Sequence, residues 1–202
     1  MPKSQTLPRR TDSPSAQSLP RRGLPALLLG LLGCQSPTPL PTVAAVDLER
    51  FMGPWFVLSH IPASSEKNAY NGVESYALRK DGKIDTTYVF RQGGFDGKLE
   101  TMKPVARVVN KDTNAAWGMQ FFWPIEAEYL ITYLEADYSA TIVARTKRDY
   151  AWIMARDPNL PEERLAALEA ELGRQGYDLT KLRRVPQRWP DAEHPNSVTA
   201  GK

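Results

Sequence analysis

Few side chains in this chain could do nucleophilic or metal chemistry. There are two histidines, His60 and His194, and one cysteine, Cys34. A covalent mechanism needs a serine or cysteine beside a base, and a metal centre needs several converging His, Cys or carboxylate ligands. His194 falls in a polar, aperiodic C-terminal stretch. His60 sits on an alternating segment without a partner and reads as an ordinary surface or rim residue. Glu126 and Glu128 flank a turn and read as solvated charge. With no Cys–His cluster and no glycine-rich phosphate loop, the sequence implies no catalytic residue, no metal and no cofactor. Aromatic residues are plentiful: five Trp, eight Tyr and six Phe. Apolar walls carrying a few hydroxyls suit a cavity for a lipid-shaped ligand better than a reaction centre.

The elements that must position those aromatics are strands. "WFVLSHI" (Trp55–Ile61) and "GVESYALR" (Gly72–Arg79) alternate. Asp81-Gly82 is a two-residue hairpin signal leading into "KIDTTYVFRQ". Turns at Gly93–Gly97 and Asn110–Asn114 precede "AAWGMQFFW", which Pro124 ends, and three further alternating runs extend to Arg156. About eight strands at regular spacing argue for an antiparallel sandwich or barrel. A helix follows: Asn159 and Glu162 have capping-box spacing, Pro161 is in the first turn, and Leu165, Leu168 and Leu172 share a face that must pack on the outside of the sheet. Side chains alternate across a strand, so one face of "AAWGMQFFW" carries Trp117, Met119, Phe121 and Trp123. The same rule groups Tyr76 with Leu78, Tyr88 with Phe90, and Tyr150 with Trp152 and Met154. Tyr76, Tyr88, Met119, Phe121, Trp123, Tyr150, Trp152 and Met154 are therefore the expected ligand-binding set.

The ends of the chain differ in composition. The net charge of +3 is concentrated ahead of Cys34, and beyond that point 21 basic residues face 22 acidic ones. A nucleic-acid partner, which needs a basic footprint, loses support. Arg21-Arg22 precede the apolar "GLPALLLGLLG", too short to span a membrane but suited to a signal-peptide core. Its end, Leu31-Leu32-Gly33-Cys34, resembles a bacterial lipobox. The resemblance implies that Cys34 is acylated and anchors the protein to the cell outer membrane, facing the periplasm. Expected boundaries are 1–33 for the signal peptide, 34–46 for a lipidated proline-rich tether, 47–187 for the folded domain, and 188–202 for a disordered tail.

From Asp47 to Gln187 the chain resembles the lipocalin family, most closely its bacterial lipoprotein and apolipoprotein D-like members. The resemblance rests on Gly53-x-Trp55 after "DLERFM", on Asp137-Tyr138 in "LEADYSATIV" with Ala136 in the place of the usual threonine, and on Arg156 closing "RDYAWIMAR" just ahead of the helix. It implies an all-β fold, an eight-stranded antiparallel up-and-down β-barrel with a C-terminal α-helix packed outside. It also implies that Gly53, Trp55, Asp137, Tyr138 and Arg156 are structural, with the Arg156 guanidinium lying across the Trp55 ring, and that Tyr76 and Trp152 face the ligand.

The expected function is a membrane-anchored lipid binder that carries a fatty acid or lysophospholipid. Lys67, Arg79 and Arg91, near strand ends, are candidates to meet an anionic head. Two alternatives stand beside it: a lipocalin-fold enzyme acting on a lipid through His60, or a solid-barrel scaffold that binds a protein partner or forms a homodimer through Trp152 or the outer face of the helix.

Overall fold

The structure, a computed structural model, describes residues 38–196. Every described strand belongs to the unit Ser36–Lys202. Cys34, its apolar run and residues 197–202 lie outside the described residues.

The fold is a closed antiparallel barrel. Strands β1 (Gly53–Ile61), β2 (Ala69–Leu78) and β3 (Lys83–Gln92) are followed by β4 (Leu99–Met102) and β5 (Val105–Val108), which form one stave broken at Lys103-Pro104. Proline has no N–H to offer the ladder, so the stave interrupts there. Strands β6 (Ala116–Phe122), β7 (Ile125–Leu134), β8 (Ala140–Ala144) and β9 (Ala151–Ala155) complete it. Pairing of β1 with β9 closes the circle of eight staves, so the main sheet leaves no long open edge.

Two-residue β10 (Arg183–Arg184) adds to the upper half of β1, on the side that β2 covers lower down. Here β2 is irregular between Tyr70 and Val73, and Asn71 takes a positive φ of 46°. The Asn71 N–H donates to the carbonyl of Pro186, so the C-terminal segment fills the gap between the two strands.

Inward and outward faces sort as alternation demands. Trp55, Val57, Tyr76, Trp117, Tyr129 and Met154 join the inner cluster. Phe56, Ile142, Ile153 and Ala155 join the outer one, covered by α2 (Glu162–Arg174) through Leu165, Leu168 and Leu172. Asn159 does not cap α2: the N-cap position is Pro161, with no side-chain bond. Gly176, at φ +87°, turns the chain after the helix, and its N–H donates to the carbonyl of Gly173.

Both flanking segments depart from expectation. Residues 38–46 are proline-rich yet lie on the barrel: Leu40 and Val46 are buried, and the Val43 N–H donates to the carbonyl of Ile131. Residues 188–196 are polar yet packed. Arg91 holds Asp191 through two bonds of 2.7 Å, Trp189 packs edge-on against Phe56, and His194 is buried with its Nε2 3.3 Å from the Val89 carbonyl. Composition misleads here because specific pairing, not an apolar stripe, orders the segment.

Candidate functional site

The closed end of the barrel is made by the turn of helix α1 (Leu48–Phe51) that precedes β1. Asp47 caps it by accepting from the Arg50 N–H at 3.2 Å. The chain then passes Gly53 at φ +89°, a conformation glycine adopts without strain. Trp55 is fully buried, and its indole N–H donates to the Phe51 carbonyl at 2.8 Å. The Arg156 guanidinium lies 3.8 Å from the Trp55 ring and donates to the carbonyls of Arg50, Phe51, Met52 and Pro54. One cation thus closes the floor by a cation–π contact and a fan of hydrogen bonds. Burial pushes its pKa down to about 10, which leaves it charged at neutral pH.

The second turn seals the same end. Tyr138, at φ +61°, lies under the Arg50 guanidinium at 4.0 Å, and its hydroxyl accepts from the Asp47 N–H. Hydrogen bonds from Ser139 hold the Asp137 carboxyl below the usual range. At Ala136 the backbone carbonyl accepts from Arg50 at 3.2 Å.

Aromatic rings fill the barrel above this floor. Phe51 contacts Trp55, Tyr76 and Trp117, and Trp117, Tyr129 and Trp152 stack in succession toward the open end. Above them is a cavity of about 640 Å³, within the range of small-ligand sites. Of the expected set, Tyr88, Met119, Phe121, Tyr150 and Trp152 line it. Tyr76 and Met154 point inward but belong to the packed floor beneath. Trp123 does not line it: the ladder is irregular past Gln120, and Trp123 stands 84% exposed at the hairpin tip beside Phe122 and Ile125. Trp152 faces inward, so it offers no outer surface for a homodimer.

Several charged residues differ from expectation. His60 is fully buried, with its Nδ1 3.7 Å from Glu66. The irregularity between Val57 and Ser59 shifts the phase of β1 and turns His60 inward opposite Trp152. Glu126 and Glu128 border the cavity: Arg107 pairs with the first, and the second accepts from the Thr146 N–H and hydroxyl. Arg79 pairs with Asp85 at the closed end, Arg91 is held by Asp191 on the outer wall, and Lys67 does not border the cavity. The cations that do border it are Arg145 and Lys147, in the loop between β8 and β9.

The sequence reading overlooked a buried polar network. Tyr129 donates to Glu74 at 3.2 Å and its hydroxyl meets that of Tyr76; Trp152 donates to Glu66 at 3.2 Å. Burial pushes the Glu74 carboxyl up to about 7. Glu74 was within reach of pattern reasoning, since it stands two residues before Tyr76 and so shares its face. Glu66, in the one-turn 3₁₀ segment Ser64–Glu66 after β1, carries no periodic signal.

Among the described residues no helix is long and apolar enough to cross a membrane. A polar cleft of about 400 Å³ lies on the outer wall around Arg91, Asp191 and Glu193.

Comparison with known proteins agrees with this architecture. Residues 46–187 match the family model described as a lipocalin-like domain. The chain is 28% identical to the outer membrane lipoprotein Blc of Escherichia coli (strain K12), over 78% of this chain and 90% of that protein. It is 29% identical to apolipoprotein D of Mus musculus (76% and 82%) and 26% identical to temperature-induced lipocalin-1 of Arabidopsis thaliana (73% and 83%). Among solved structures, insecticyanin from the tobacco hornworm Manduca sexta superposes with a TM-score of 0.57 at 17% identity, covering 73% of this chain and 84% of that one. The cockroach allergen Per a 4 gives 0.56 at 20% identity, with 76% and 96% covered. These two likenesses establish the barrel alone. With the family model spanning the whole barrel, the chain belongs to the lipocalin family.

Proposed function

We propose that the calyx binds a single-chain amphiphile of the fatty acid or lysophospholipid class, and that the protein carries it at an envelope membrane rather than transforming it. The observation that carries this reading is the hollow itself: about 640 Å³ between a sealed aromatic floor and an open mouth, walled by Met102, Met119, Phe121 and Trp152. Each Å² of apolar ligand surface removed from water there contributes roughly 25 cal/mol. Tyr88, Met119, Phe121, Tyr150 and Trp152 supply the walls, and Tyr76 and Met154 support them from below.

Cys34 is the proposed acylation site, and the outer membrane the proposed location, supported by the apolar run before Cys34 and by relatives named as outer membrane lipoproteins. The described chain begins at the mouth: the Thr38 carbonyl accepts from Arg148, in the same loop as Arg145 and Lys147. Four residues span at most about 14 Å, so an anchor at Cys34 holds the mouth toward the lipid.

Calorimetric titration of residues 35–202 with lysophospholipid and fatty acid, below their micelle concentrations, tests the binder. Saturable one-to-one binding that weakens at least about tenfold in Trp152→Ala is expected. Absence of any titratable site would sink it.

A further inference from the structure

The buried wall of the calyx is not wholly apolar: Glu66 reaches in from the segment after β1, and Glu74 stands on β2. Glu66 and Glu74 both border the cavity and both are buried, 4% and 7% exposed. Their oxygens are held by donors: Tyr129 and Trp152 point at them, and the Ala63 N–H reaches Glu66 at 3.4 Å. Beside Glu74, across the β2–β3 ladder, stands Tyr88. It is only 5% exposed, borders the cavity, and its hydroxyl has no hydrogen-bond partner. The cations bordering the cavity, Arg145 and Lys147, belong to the mouth, and Arg145 already pairs with Asp149 at 3.4 Å. This wall therefore offers two oriented carboxylates, a free phenol oxygen and the Trp152 ring. A buried charge calls for a paired, hydrogen-bonded partner.

We propose that this buried acidic wall is a cation subsite, taking the ammonium group of a long-chain amine that enters head first and lodges between Glu66, Glu74 and the Tyr88 hydroxyl. An ammonium brings three donors and no acceptor, which complements this set. It also gains from the face of Trp152. A carboxylate head at the same place adds a third acid to two, so a fatty acid enters in the opposite sense, head at the mouth. The inference rests on the calyx holding an amphiphile and adds which chemistry its buried wall prefers.

The two orientations differ in pH dependence. Facing this pair are His60 on β1, Tyr76 on β2, Tyr88 on β3 and Tyr129 on β7, with Arg183 on β10 acting on Tyr88. Burial holds the three tyrosines well above 10, so they stay neutral. An ammonium favours ionised Glu74, so amine affinity rises between pH 6 and pH 8 while carboxylate affinity falls.

The test titrates residues 35–202 with dodecylamine, dodecanoate and dodecanol at pH 6 and pH 8. At pH 8 the amine is expected to bind at least about tenfold tighter than the carboxylate. Glu74→Gln, alone and with Glu66→Gln, should erase that preference and the pH slope. Tyr88→Phe, which removes one oxygen, should weaken the amine alone. Dodecanoate binding as tightly as dodecylamine overturns the proposal, as does a preference or slope that survives Glu74→Gln. Binding of dodecanol and dodecanoate without the amine overturns it and leaves the calyx reading standing. Binding of none of the three overturns both.

Discussion

At the scale of single residues, the sealed floor and the cavity wall above it make opposite electrostatic arrangements. Arg156 is a half-buried cation with a partner on every side: a ring at 3.8 Å and four backbone carbonyls. Arg156→Ala strips those carbonyls of their donor, and we expect a loss on the order of 3 kcal/mol in urea denaturation. Arg156→Lys keeps the charge but not the planar fork, so it should recover only part of that. Glu74 is the reverse case, a buried acid with hydroxyl donors and no cation among the groups that shift it. Its folded pKa of about 7 lies above the unfolded value, so the folded state holds the proton more tightly. The unliganded protein then loses stability as pH rises from about 4.5 to about 7, by on the order of 3 kcal/mol. Glu74→Gln should remove most of that decline in melts run between pH 5 and pH 8. The Gly53, Trp55 and Arg156 set was legible because its spacing is a motif. His60 was not, because a one-residue irregularity inverted its face, and nothing local in "FVLSHIP" marks it.

At the scale of elements, what decides whether a segment is ordered is whether its polar groups find fixed partners. The stave hairpins and the leucine face of α2 were readable from period and turn chemistry. The segment after Gln187 was not, since its order depends on residues far away in sequence. Asn71 donates to the Arg188 carbonyl and to Asp191, and accepts from the Arg188 N–H. Arg91 and Asp191 have side chains only 10% and 8% exposed, and the pairing holds Asp191 well below the carboxylate range. Removing one member of a nearly buried pair costs about 3–5 kcal/mol. In Arg91→Ala we expect the amides of Asn71 and Arg188 to exchange at least about 100-fold faster, with β6 to β8 unchanged. Exchange of those amides as slow as in the parent would count against this role for the Arg91–Asp191 pair. The same element carries a pH response. Burial holds the His194 pKa below its ordinary value, so its contribution is full above about 6.5 and is lost as pH falls through the lower folded value. Corrected for intrinsic rates, Arg188 exchange should quicken between pH 7.5 and pH 5.5, and His194→Gln should flatten that change.

At the scale of the whole molecule, the barrel is polar in direction: a sealed end built on α1, Trp55 and Arg156, and a mouth bordered by the β6–β7 tip and the β8–β9 loop. The chain enters the described structure at the mouth, where Thr38 meets Arg148, runs down the wall, and reaches Asp47 at the sealed end. This routing could not be read from composition, because "SPTPLPTVAAV" looks like a free tether until its amides are seen donating to Ile131 and Thr113. It constrains a lipid anchor. Were residues 34–46 a loose tether, either end of the barrel could approach the bilayer. With residues 38–46 laid on the wall, the proposed anchor at Cys34 is limited by chain length to about 14 Å from Thr38 at the mouth, and the exposed Phe122, Trp123 and Ile125 lie on the mouth side. On the proposed anchoring, a ligand would pass between bilayer and calyx without crossing bulk water. Acylated protein in vesicles, labelled through Lys147→Cys at the mouth or Asp81→Cys at the sealed end, measures this directly. Energy transfer to a headgroup dye should be clearly stronger from position 147. Equal transfer from the two positions, or stronger transfer from position 81, would overturn the orientation.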